Sequence, residues 1–401
     1  MRNTCTHPVF IALLLIVLCT TLLVGPASAQ QRPVRIMPPL AAGSLYPDNP
    51  ETLFEVVKRN LEEADTPRRE ERLIATIVPH DGYGLSGDVA AHAFKHLRQG
   101  EFERVMILGA PHYSTFEGCS IPAVYGYETP LGIVPIDMHA VEQLTRSPLI
   151  SARSVRSGSQ GGRSNLHEIE YSIEMVLPFL QMTIHNFSII PIMVGDLRDA
   201  SQNYNENIIK AAAEGISREL DDRTLLVVST DLIHFGNDFS YRPFNTHILD
   251  RIFTLDHDII DRIINLDTNG LQAIVEETGA PICGLSALQV LTKLLPPNVR
   301  GELLAYDTSG RKTGQYERAS ISYAAINFYE TPERTVRPES REPVVLRMNP
   351  DEEVVEGRTP RRRESIQLTL PPGSRYNRGG AEENLEGEPA EQDAPPEAPA
   401  E

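Results

Sequence analysis

The chain has little cysteine, little positive charge and only one long hydrophobic run, and each shortage removes a class of protein. Four cysteines occur in 401 residues, and two of them, Cys5 and Cys19, lie in the N-terminal stretch. Without that stretch, Cys119 and Cys283 remain. They could pair in an oxidising compartment, but two cysteines do not build a disulfide scaffold. Lys and Arg number 37 against 55 Asp and Glu, giving a formal net charge of −18 with no basic stripe. That balance argues against a nucleic-acid partner, whose phosphates need a positive surface. No internal repeat divides the chain.

The hydrophobic run, Val9–Val24, follows Arg2 and leads into Ala27-Ser28-Ala29. It is short for a membrane-spanning helix, and the Ala-x-Ala ending matches a signal-peptidase site. Residues 1–30 are therefore expected to be an export signal and residues 31–42 a linker. The mature protein is expected to be periplasmic or secreted, with no stable membrane insertion after cleavage. An uncleaved N-terminal anchor is the alternative. From Thr331 onward Pro, Glu and Arg dominate, apolar periodicity is lost, and Glu382–Glu401 contains no Lys or Arg. Such a segment cannot bury enough apolar surface to offset its chain entropy, so residues 331–401 are expected to be a disordered acidic tail. The Arg361-Arg362-Arg363 cluster within it reads as a solvated charge run. The folded domain is expected over residues 43–330.

Within that domain, three apolar runs each end in a histidine: Leu73 to His80, Val105 to His112 and Leu225 to His234. Short β-branched runs broken by Pro or Gly and followed by helical patterns read as buried strands of an α/β sheet. Further strands are expected at Cys119–Tyr125 and Gly132–Ile136, with a turn near Glu128, then at Phe187–Val194, Glu302–Tyr306 and Ile321–Phe328. Helices are expected at Gly87–Leu97, after Asp137 as a cap, at Ser172–Gln181 with a break at Pro178, and at Ala200–Leu220. Further helices are expected between Asn245 and Glu277, and one more at Gly284–Leu295. Ser157–Ser164 reads as a flexible loop, a candidate lid. The hairpin and the consecutive final strands imply a three-layer α/β fold, with a mixed central β-sheet and flanking helices, rather than a fully parallel one.

Ligands in such sheets gather beyond the carboxyl ends of the strands, so three imidazoles delivered to one edge form a candidate metal or acid–base site. His80 and His112 each follow Pro at the mouth of strands adjacent in sequence, which usually neighbour each other. Asp231 and His234 share one loop, where the carboxyl can orient the ring, accept a proton or cap the next turn. Cys283 stands at the start of a helical pattern, where the dipole favours a thiolate, although an isolated Cys is more often a small buried residue. Gly82-Tyr-Gly84-Leu-Ser-Gly87 matches G-x-G-x-x-G. No ribose-binding acid follows, so it reads as a turn rather than a dinucleotide site. His167-Glu168-Ile-Glu170-Tyr171 lacks the second histidine of a zinc-protease helix, leaving Glu174 to face the cleft.

Taken together, Val78-Pro-His80-Asp-Gly-Tyr83, Ile107-Leu-Gly-Ala-Pro-His112, Tyr171-Ser-Ile-Glu174, Val228-Ser-Thr-Asp231-Leu-Ile-His234 and Ile282-Cys283-Gly284 resemble the Memo family, whose bacterial members are often named AmmeMemoRadiSam system protein B. The resemblance covers roughly Ala42 to Phe328. It implies a fold related to class III extradiol dioxygenases, a metal site on His80, His112 and Cys283, and Asp231 and His234 nearby as catalytic groups. Iron(II) or copper is the implied metal, with zinc as a third choice, and a thiolate ligand is softer than a carboxylate. The family name carries no settled reaction. A dioxygenase-like redox enzyme, a metal-holding or protein-interaction module, and a zinc-dependent hydrolase all remain open, and the small-molecule or peptide substrate is unidentified. Two positions depart from the family pattern: Tyr171 stands where a histidine is frequent, and Asp81 where alanine is usual.

Overall fold

The computed structural model describes residues 35–157, 162–201 and 203–332. The expected export signal and nearly all of the expected tail lie outside the described residues. All the described strands and helices lie between Ile36 and Glu330.

The described strands are β1 Ile36–Met37, β2 Leu73–Val78, β3 Arg104–Gly109, β4 Cys119–Ile121, β5 Gly126–Thr129, β6 Gly132–Pro135, β7 Ile150–Ala152, β8 Ser154–Ser157, β9 Gly162–Asn165, β10 Ser188–Val194, β11 Thr224–Ser229, β12 His234–Phe235, β13 Val299–Thr308 and β14 Ser320–Glu330. Nine of them form one sheet in the order β12-β14-β2-β11-β3-β10-β4-β7, with β13 added on β14. The central four, β2, β11, β3 and β10, run parallel. Their near-continuous burial explains their near-continuous Val, Ile and Leu content, because a parallel sheet is covered on both faces. β14 and β4 flank this core antiparallel, so the sheet is mixed, as the sequence implies.

One detail of the order differs from expectation. β2 and β3 are not neighbours, because β11 lies between them, with Ser229 in register with Val78 on one side and Gly109 on the other. The three strand ends are therefore level. The loops that carry His80, Asp231 and His112 leave the same edge of the sheet.

Helices pack against this sheet. Pro50–Glu63 is capped by the Asn49 side chain, which accepts from Thr52 N–H. It packs on the Tyr83–Phe94 helix, which begins at the Gly82 cap rather than at Gly87. A Cβ on Gly87 would stand 2.7 Å from Asn60 Nδ2, so that glycine lets two helices approach, which accounts for part of the glycine pattern. Asp137 caps Met138–Leu144 as expected. Pro178 sits in the first turn of Leu177–Thr183, after a 3-10 turn at Glu174–Val176, so it opens a helix instead of bending one. Glu206–Ser217, Ile248–Ile264, Thr268–Thr278, Leu285–Leu294 and the short Ser309–Thr313 complete the set.

Three other expectations change. β5 and β6 form the hairpin, pairing Thr129 with Gly132, while β4 belongs to the large sheet. The expected lid is a two-stranded ribbon of β8 and β9, whose tip at 158–161 lies outside the described residues. Residues 36–42 belong to the fold and not to a linker: β1 pairs with β5, and Met37 and Ala41 are buried. Among the described residues, no helix is long and apolar enough to cross a membrane.

Candidate metal centre

His80 follows β2 and His112 follows β3, and their Nε2 atoms meet 3.1 Å apart across the end of β11. Cys283 arrives from a distant part of the chain. Its loop is clamped to the Asp231–His234 segment by a bridge between Ile233 and Ile282 and by His234 N–H donating to Pro281 O at 3.1 Å. The Cys283 Sγ thereby sits 3.4 Å from His80 Nε2. Among the described residues, His80, His112 and Cys283 form a group whose donor atoms all lie within 4.8 Å of one another, and which could hold a metal ion. Both described thiols, Cys119 and Cys283, are free, so the sulfur needed here is not consumed in a disulfide.

The approach of Cys283 depends on its neighbour. Gly284 N–H donates to Thr230 Oγ1 at 3.0 Å, and a Cβ on Gly284 would lie 2.4 Å from that oxygen. Asp231 N–H donates to Cys283 Sγ at 3.2 Å, a hydrogen bond that a thiolate accepts well. The helix that follows begins at Leu285.

The imidazoles are held from behind. His80 is 1% exposed; its Nδ1 lies 3.0 Å from Ser229 Oγ, and its backbone N–H donates to Asp231 Oδ1 at 3.0 Å. Glu170 is equally buried and accepts from the backbone N–H groups of His112, at 2.7 Å, and Tyr113, at 2.6 Å. Its Oε2 is 3.4 Å from His112 Nδ1, an ion-pair distance without good hydrogen-bond alignment. The Tyr171 ring lies flat on His112, with centroids 4.9 Å apart and planes 7° apart.

Electrostatics separate these groups. Burial pushes His80 well below the usual imidazole range, and His112 and His234 beside it add to the effect. Burial would also lower His112, but the Cys283 sulfur and the Glu170 carboxylate outweigh it and raise His112 to about 10. Burial and the neighbouring Asp81 lift Asp231 to about 8. Burial lowers His234 to about 4. Asp81 is raised by burial as well; it accepts from the Tyr323 hydroxyl and from Gly82 N–H, turned to those partners.

The donors suit a transition metal. Ligands held at about 2.0–2.3 Å around a tetrahedral ion lie roughly 3.3–3.6 Å from one another, close to the 3.1 and 3.4 Å that separate His80 Nε2 from His112 Nε2 and Cys283 Sγ.

His80, His112 and Cys283 thus come together as the sequence reading requires, with Asp231 against His80. His234 is on the same loop, 8% exposed, with Nδ1 2.9 Å from Leu232 O and its ring edge-on to Phe239. Glu174 does not face the cleft. It is buried, accepting from Leu40 N–H, Ala41 N–H and Tyr46 Oη, and so fastens the N-terminal segment. His167 is likewise structural, lying 2.8 Å from Tyr127 Oη and 3.0 Å from Ser120 O. Sequence reasoning missed Ser229, Ser172 and Glu170. The one available signal was a buried-type polar residue ending an apolar run, Val228-Ser229.

Comparison with known proteins gives a consistent picture. The family profile described as Memo-like protein matches residues 37–327. A MEMO1 family protein of Methanopyrus kandleri is 32% identical over 304 residues, spanning 72% of this chain and 98% of its own length. The protein memo-1 homolog of Caenorhabditis elegans is 32% identical over 256 residues, 62% of this chain and 68% of its own. A MEMO1 family protein of Methanosarcina barkeri is 30% identical over 294 residues, 72% and 98% of the two chains.

Proposed function

The chain belongs to the Memo-like protein family, and from that premise we propose that it binds a redox metal, iron(II) or copper, through His80, His112 and Cys283 and acts as a dioxygenase-like oxidoreductase. The observation that carries this reading is the convergence of two imidazole nitrogens and one sulfur within 4.8 Å. Two neutral nitrogens and one thiolate leave coordination positions free, and a metal bound there would supply the redox chemistry. The mixed sheet with its flanking helices accords with a three-layer, class III extradiol dioxygenase-like fold.

The remaining groups orient the substrate and handle protons. Asp231 Oδ2, 3.7 Å from His80 Nε2, can give or take a proton at the edge of the donor cluster. His234, with Nδ1 directed at Leu232 O, has Nε2 as its proton acceptor and serves as the general base. The substrate is a small molecule or peptide of unassigned class. Residues 1–30 direct export, by their charge and hydropathy pattern.

A second reading, a metal-holding or protein-interaction module without turnover, is favoured by the Tyr171 ring, which covers one face of His112. Full-length protein purified without chelator, assayed for bound metal and then for dioxygen consumption with catechol-type substrates, decides between them. Metal with oxygen uptake supports the enzyme. Metal without uptake supports the module. A zinc-specific gain of esterase or amidase activity would replace both with hydrolysis.

A further inference from the structure

We propose that Ser229 is a positioning residue that locks His80 in the tautomer with its proton on Nδ1, turning the Nε2 lone pair toward His112 and Cys283. The purpose of this lock rests on the metal-site reading above; the tautomer itself does not.

The argument is a count of protons. A serine hydroxyl has one hydrogen to give and two lone pairs to accept with. Ser229 Oγ lies 2.6 Å from the carbonyl oxygen of Ser172, which can only accept, so the hydroxyl hydrogen is committed there. The same oxygen lies 3.0 Å from His80 Nδ1. With its hydrogen already given away, Ser229 can only accept from the ring, and Nδ1 must carry the proton. The reverse assignment would leave the Ser172 carbonyl unpaired against an oxygen lone pair. No water can repair that fault, because Ser229 and Ser172 are both 0% exposed and His80 is 1% exposed.

The far side of the ring asks for the same tautomer. His80 Nε2 faces His112 Nε2 at 3.1 Å and Cys283 Sγ at 3.4 Å. A ring with Nδ1–H presents a lone pair to both, ready to accept from His112 or to bind an ion.

The lock is itself braced. Ser229 is the last residue of β11, fixed in register between Val78 and Gly109. Ser172 is held by its own hydroxyl, which donates to Ala110 O at 2.9 Å. Ser172 also ends the tripeptide Glu170-Tyr171-Ser172, whose first two members grip and stack on His112. One short segment therefore addresses both imidazoles. Glu170 and Tyr171 act on His112 directly, and Ser172 acts on His80 through Ser229.

The test is nitrogen NMR on the metal-free, full-length protein with labelled histidines, the His80 signals being assigned by their loss in His80→Gln. The expected wild-type spectrum shows a protonated Nδ1 and a lone-pair Nε2 on His80. In Ser229→Ala the Ser229 backbone carbonyl remains beside the ring as an acceptor, so the Nε2–H tautomer should rise from undetectable to a measurable minority, and the affinity for zinc(II) should fall about tenfold. Ser229→Thr, which keeps the hydroxyl, should restore both. A wild-type His80 with its proton on Nε2 overturns the proposal, as does a Ser229→Ala spectrum identical to wild type. The wild-type spectrum decides even if a variant fails to fold. An Nδ1–H pattern in a wild-type protein that binds none of zinc(II), iron(II) and copper upholds the lock and removes the metal reading instead.

Discussion

Replacing Gly284 with Ala adds one methyl group at the point where the Cys283 turn meets Thr230. The backbone can accept it, since Gly284 has φ of −103°, so only the contact matters. The new Cβ would stand 2.4 Å from Thr230 Oγ1 and 2.5 Å from Thr230 Cβ. Ordinary carbon contacts begin at about 3.5 Å, so one side must retreat by roughly 1 Å. Thr230 cannot, because its N–H donates to Val78 O at 2.9 Å and its hydroxyl donates to Asp231 O at 2.8 Å. The Cys283 turn must therefore move, and the sulfur with it. The expected cost is about 1–3 kcal/mol of stability from overpacking. A sulfur displaced by this much should weaken metal binding by more than about tenfold, since ligand sites tolerate only about half an ångström of error. Urea denaturation of the metal-free protein measures the first, and competitive zinc(II) titration the second. A variant with wild-type stability and wild-type affinity would refute the claim that Thr230 and Gly284 fix the sulfur.

Other perturbations test separate parts of the fold. Asp256, 0% exposed, accepts from Ile233 N–H and from the Tyr306 hydroxyl, and burial raises it from 3.8 to about 7. A raised acid contributes stability that is present below about pH 4 and is lost as pH rises through 7, on the order of 4 kcal/mol at most. Wild type should accordingly lose stability relative to Asp256→Asn between pH 4 and 7, and denaturation midpoints that keep a constant difference across that range would contradict this. Glu174→Ala leaves Leu40 N–H, Ala41 N–H and Tyr46 Oη without their buried acceptor. It should cost about 3 kcal/mol or more and speed hydrogen exchange at residues 40 and 41, while zinc(II) affinity stays near wild type. Tyr171→Phe should preserve the stack on His112, whereas Tyr171→Ala should lose about 0.5–1.5 kcal/mol of it, read as several-fold weaker metal binding.

Much of this arrangement was legible in the chain. The apolar runs before His80, His112 and His234 marked buried parallel strands, because a strand covered on both faces has no polar alternation to confuse the pattern. What strand patterns cannot convey is sheet order. β11 enters between β2 and β3 through pairings more than a hundred residues distant, and only that insertion places Ser229 behind His80. Glu174 was misplaced for the same reason: its partners Leu40, Ala41 and Tyr46 are remote, and nothing local marks a carboxylate as buried. The Pro50–Glu63 helix carried local signals, an Asn cap and a Pro in the first turn, that sequence reading passed over. Tyr171 was visible as a departure from the family pattern, but its role as a flat cover on His112 required coordinates.

The claim on which the account depends is that one metal ion is shared by His80, His112 and Cys283. X-ray absorption of the metal-loaded, full-length protein, with metal quantified in parallel for His80→Ala, His112→Ala and Cys283→Ala, addresses it directly. The account predicts one ion per chain, with one sulfur and two imidazole nitrogens around it, and loss of that ion in each variant. A wild-type ion with no sulfur neighbour, or variants that retain metal as wild type does, would contradict it.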